Sequence, residues 1–123
     1  MGRYISGDIN TKLWFGVQSS AAADRFGVDG YQPDELYYYF DKSNLETVQK
    51  ELQSIINKIG IFDLAKLKEF FDTHSSYNDQ MIKEAGLLEL WNNCKEDYAD
   101  YELGCMIRDC VIKQGSCKFK AEL

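Results

Sequence analysis

The sequence predicts an α+β domain: a small, mostly antiparallel sheet packed against four or so helices. Three observations predict it. Apolar residues alternate with polar ones near the N-terminus, over residues 35–41 and again over 117–123. A capped helical stripe of apolar residues spans 45–59. Between that stripe and the last alternating run, the chain keeps helical character with only brief stops. At 123 residues this is one domain by length, and 45% hydrophobic with 28% charged residues suits a folded chain rather than a disordered one.

Arg3 to Ile9 sets Ile5, Gly7 and Ile9 against Tyr4, Ser6 and Asp8, and Leu13 to Gln18 sets Leu13, Phe15 and Val17 against Trp14, Gly16 and Gln18. The expectation is a hairpin turning at Asn10-Thr11. A two-residue loop pairs Ile9 with Lys12; a three-residue loop shifts the register by one and gathers the apolar residues on one face. Both remain open at this level. Gly7 and Gly16 leave a shallow place where a ligand or a second backbone can come close.

Ser19 to Gly27 reads as a short helical turn, and Asp29-Gly30 marks a loop. Glu35-Leu-Tyr-Tyr-Tyr-Phe-Asp41 is the third strand, with Leu36, Tyr38 and Phe40 facing one way and Tyr37 and Tyr39 the other. Ser43-Asn-Leu-Glu46 has the form of a capping box, and Leu45, Val48, Leu52, Ile55, Ile56 and Ile59 follow on one face until Gly60. Asp63 is placed to cap a second helix ending near His74. A third runs from Asn78 or Asp79 to Ala85, and a fourth fills 87–114 with a possible break at Asn92-Asn93. Cys117, Phe119, Ala121 and Leu123 alternate with Lys118, Lys120 and Glu122 in the closing strand.

A net charge of −6, with 20 acids against 14 scattered Lys and Arg, argues against direct nucleic-acid binding and against attraction to an anionic membrane. No apolar run is long enough to span a bilayer, and a cytoplasmic location is expected. Cys94, Cys105, Cys110 and Cys117 lack metal-ligand spacing and read as free thiols; if oxidised, Cys110 and Cys117 pair most easily. His74 at a helix end suits the terminal carbonyls better than catalysis. Neither a dinucleotide fingerprint nor a phosphate-binding loop occurs, so no cofactor and no catalytic residue are assigned.

The remaining signal is aromatic. Tyr4, Trp14, Tyr31, Tyr37 and Tyr39, with Gln18, make a candidate binding face on the exposed side of the N-terminal sheet and the 28–39 region. Tyrosine and tryptophan combine apolar area with a hydrogen-bonding tip, which favours them at interfaces. The expectation is a small acidic interaction protein with a protein partner. The alternative is a small-molecule binder or enzyme with a pocket at Gly7/Gly16 lined by Ser6, Asp8, Trp14 and Gln18.

Tyr4-Ile-Ser-Gly-Asp-Ile9, Phe15-Gly-Val-Gln-Ser-Ser20 and Tyr98-Ala-Asp-Tyr-Glu-Leu-Gly104 resemble small open reading frames of phages and large DNA viruses. The resemblance implies a viral or mobile-element origin and a host or viral protein as partner. It carries over no functional residue.

Overall fold

The computed structural model describes residues 3–14, 17–28, 35–74 and 78–122. Strands β1 (Tyr4–Gly7), β2 (Thr11–Lys12), β3 (Glu35–Asp41) and β4 (Ser116–Glu122) form an antiparallel sheet in the order β2-β1-β4-β3. The last strand therefore lies between the first and the third. Helices α1 (Leu45–Ile59), α2 (Ile61–Thr73), α3 (Asp79–Glu84) and α4 (Leu88–Gln114) complete the α+β fold.

Because residues directly opposite each other in a sheet share a face, the register decides what is buried. Leu36 sits across from Ala121, Tyr38 from Phe119 and Phe40 from Cys117, and all six are buried beneath the sheet. The rings of Tyr38, Phe40 and Phe119 stack with centroids 5.2–6.3 Å apart. Burying each such ring contributes about 2–3 kcal/mol. α4 lies against β3 and β4, and α1 packs on α4 through Val48, Leu52, Ile55 and Ile59. This stripe is the one the sequence spacing predicts.

α4 runs for 27 residues, roughly 40 Å, without a break at Asn92-Asn93. It shows no single apolar stripe because α1, α2, α3 and the sheet all meet it. Gly104 marks the tightest approach: a Cβ there would fall 2.5 Å from Phe26 Cε1 and 2.8 Å from Leu52 Cδ2. Phe26 belongs to a 3₁₀ turn, Ala22–Phe26, closed by Gly27 in the left-handed region.

The second half of the expected hairpin is a correction. Only Thr11–Lys12 pairs with β1, with Ile5 opposite Thr11 and Tyr4 opposite Lys12, so neither the two-residue nor the three-residue loop forms. The intervening turn is longer, and the Asn10 side chain accepts from Gly7 N–H at 3.4 Å and donates to Gly7 O at 3.1 Å. Past Leu13 the chain turns, with Val17 and Gln18 N–H both donating to Trp14 O. β1 takes β4 as its main partner, so no long β2 is required to satisfy it. Phe15 and Gly16 lie outside the described residues.

Two helix starts also differ from expectation. Asp41, not Ser43, caps the entry to α1: its carboxylate accepts from Ser43 N–H at 2.8 Å, and Asn44 Oδ1 accepts from Asp41 N–H at 3.0 Å. α2 begins at Ile61 without help from Asp63, because Gly60 at φ 95° ends α1 and its carbonyl accepts from Leu64 N–H. That leaves Phe62 82% exposed.

The Asp41 cap makes a pH prediction. The Ser43 hydroxyl and N–H hold its carboxyl below the ordinary 3.8. A carboxylate with a depressed folded pKa stabilises the protein fully above its unfolded pKa and loses that contribution as pH falls through the lower folded value. Asp41→Asn should therefore melt below the unsubstituted protein at pH 7, and the two melting temperatures should converge as pH falls through that lowered folded value. Thermal melts followed by circular dichroism check this.

Candidate functional site

The outer face of the sheet carries the strongest binding chemistry. Here β4 alternates Lys118 and Lys120 outward, and the register places Tyr37 beside Lys120 and Tyr39 beside Lys118. Ser6 lies on the other side of Lys120. Tyr4, Tyr37 and Tyr39 are 51%, 44% and 53% exposed, whereas Tyr38 between the last two is buried. Strand alternation thus produces a rigid aromatic and cationic surface.

Gly7 shapes the middle of this face. A Cβ built on it would stand 2.6 Å from Lys118 O and from Phe119 Cα, and its φ of 146° suits no other residue well. Beside it lies a depression of about 360 Å³ bordered by Ser6, Asp8, Tyr37, Lys118 and Lys120. The acids nearby are turned to backbone donors. Asp8 Oδ2 accepts from Lys118 N–H at 2.9 Å and Glu122 Oε1 from Tyr4 N–H at 3.2 Å. Among the described residues Lys118 makes no ion pair. A face of this kind offers the Lys118 ammonium to a carboxylate and the tyrosines to apolar or aromatic side chains.

A second concavity, about 610 Å³, lies between the 3₁₀ turn and the first half of α4, over Arg25, Lys58, Asn93 and Asp97. Arg25 bridges three elements, meeting Glu51 of α1 at 2.9 Å and Asp100 and Asp97 of α4 at 2.7 and 3.3 Å. Lys58 holds the other oxygen of Asp97 at 3.0 Å. Gln18 donates through Nε2 to Asp100 Oδ1 at 2.8 Å and accepts from Trp14 N–H at 3.1 Å, while Arg3 donates to the Gln18 carbonyl. Burial, and to a smaller extent the charge of Glu96, pushes the Asp100 carboxyl above its ordinary range, with Gln18 and Arg25 pulling the other way. Burial likewise opposes the charge of Arg25, but hydrogen bonds to Asp100 and Glu51 outweigh it and keep the guanidinium protonated. Each of these buried charges already has its counter-charge, so the cluster is a clamp between elements. Cys94 at its rim is pushed up to about 11 by burial, then by Asp97 and Asp63, which keeps it a thiol at neutral pH and a poor nucleophile.

The candidate residues therefore divide. Tyr4, Tyr37 and Tyr39 share the outer face. Trp14 is on the opposite side, with ring centroids 5.4 Å from Phe71 and 5.5 Å from Trp91, and Gln18 is buried in the Arg25 clamp. Tyr31 lies outside the described residues. The alternative pocket divides in the same way: Ser6 and Asp8 border the Gly7 depression, Trp14 and Gln18 do not, and Gly16 is outside the described residues. Lys118 and Lys120 were absent from the sequence candidates, although their outward alternation was the visible signal. His74 Nδ1 lies 2.7 Å from Phe70 O, the helix-end role its position suggests.

Comparison with protein-family models, curated proteins and solved structures finds no match to this chain. Among the described residues no helix is long and apolar enough to cross a membrane.

Proposed function

We propose that this chain is a small protein-binding domain whose outer sheet face takes an acidic segment of a partner protein. The observation that carries the reading is the half-exposed set Tyr4, Tyr37 and Tyr39 around Lys118 and Lys120, on a sheet face opposite the buried one. Tyrosines held on a sheet offer large contact area at little entropic cost, the usual character of interface hot spots. Charge supplies the direction: the chain is acidic overall, yet Lys118 and Lys120 stand between the tyrosines of this face. The partner would be a host or viral protein met in the cytoplasm, and the domain would act as an accessory or inhibitor by occupying a surface of it.

The test is photo-crosslinking from residue 37, with residue 112 on α4 as the control position. Partners should crosslink from 37 while Tyr39, Lys118 and Lys120 are intact, fade as salt rises, and be lost when Tyr39→Ala is combined with Lys118→Glu and Lys120→Glu. Each hot-spot truncation should weaken binding roughly 30-fold or more. Identical capture from both positions, unaffected by these substitutions, would refute the reading. The Gly7 depression favours a second reading, a small anionic ligand seated between Tyr37 and the two lysines. A thermal-shift screen that finds such a ligand, with the shift removed by Lys120→Ala, would put that reading first.

A further inference from the structure

Two sulfurs meet where α4 turns into β4, away from the tyrosine face. Cys110 is on the last turns of α4 and Cys117 is the second residue of β4, with Gly115 at φ 86° making the reversal between them. Gln114 Nε2 donates to Cys110 Sγ at 3.5 Å, and Cys110 donates to Ser116 O at 3.5 Å. This fixes Cys110 over the start of β4, against the residue that precedes Cys117. Cys117 is fully buried opposite Phe40, whereas Cys110 is partly exposed. One sulfur can be approached from solvent and the other only from its neighbour.

We propose that Cys110 and Cys117 are a modification site that forms an intramolecular disulfide by exchange with a low-molecular-weight disulfide of the glutathione type. The Cys110 thiolate attacks one sulfur of the external disulfide, giving a mixed disulfide and releasing one small thiolate. Cys117 then attacks the Cys110 sulfur, expelling the second small thiolate, which carries away the proton that Cys117 gives up. Two protein thiols are oxidised and one external disulfide is reduced to two thiols, with no other electron donor or acceptor. Burial, and then the neighbouring Cys110, hold the Cys117 thiol well above its usual range, so the second step gains speed as pH rises. The link ties the end of α4 to the central strand of the sheet. A bond closing so short a loop raises the melting temperature by about 10 °C in a domain of this size.

The experiment incubates the folded protein with oxidised glutathione at pH 8, followed by intact mass and peptide mapping without reduction. The expected product has lost two hydrogens, joins the peptides holding Cys110 and Cys117, and melts higher. Cys117→Ser should stop at a stable glutathione adduct on Cys110, and Cys110→Ser should leave Cys117 unmodified. Should Cys117→Ser not fold, the mapping of unsubstituted protein and the Cys110→Ser variant still decide. A protein that keeps four free thiols, carries only adducts, or links through Cys94 or Cys105 overturns the proposal.

Discussion

Replacing Arg25 with methionine should lower the free energy of unfolding by about 3 kcal/mol, the largest loss expected from one polar substitution in this chain. Methionine keeps most of the apolar stem, so the change isolates the charge. Asp100 is 3% exposed and would keep only Gln18; Asp97 would keep Lys58. Removing one partner of a buried ionic cluster costs about 3–5 kcal/mol, and the 28% exposure of the Arg25 side chain sets the lower end. The pH dependence identifies the cause. Without Arg25 the folded-state pKa of Asp100 climbs further above its unfolded value, so stability falls as pH rises through that interval. Urea titrations should show a larger deficit at pH 7 than at pH 4.5. Asp100→Asn in the same background should restore part of the loss, because Asn Oδ1 can still accept from Gln18. A deficit below about 1 kcal/mol, or one unchanged by pH, would show the clamp to be inert.

Gly104→Ala should cost up to about 3 kcal/mol, although alanine is ordinarily the better helix former. Glycine mid-helix is usually a weakness to be repaired; here a methyl would meet Phe26 at 2.5 and 2.7 Å and Leu52 at 2.8 Å. Phe26 is wholly buried and has no room to retreat. Phe26→Leu should relieve the overlap, leaving the double variant less destabilised than the two single losses added together. Denaturant midpoints of the four proteins in that cycle measure the coupling. A stabilising Gly104→Ala would mean that α1 and the 3₁₀ turn can move off α4.

What could be seen in the chain beforehand was whatever is written locally. The 35–41 alternation and the stripe from Val48 to Ile59 depend on neighbours two to four positions apart, and both appear with the expected boundaries. Leu13 to Gln18 alternates just as well, yet it turns after Leu13. Its fate is decided by Phe71, Trp91 and Asp100, more than fifty positions away. Distance in sequence also hid the clamp, since Arg25 is 72 and 75 residues from its α4 partners. The only local hint was Asp97 and Asp100 three apart on one helix. The binding face was half legible, because alternation marks which tyrosines turn outward but cannot say which lysines stand beside them.

The position of β4 has a consequence for how the chain is made. β1 and β3 never touch each other as strands; each waits for residues 116–122. During synthesis the run Leu36-Tyr-Tyr-Tyr-Phe40 therefore leaves the ribosome with both edges bare and stays so until some eighty further residues have followed. Helical segments can collapse early around α1, but the sheet closes only once residues 116–122 have emerged. Loss of residues 116–122 would deprive two strands at once of their common neighbour, converting a local deletion into exposure of a sticky aromatic ribbon.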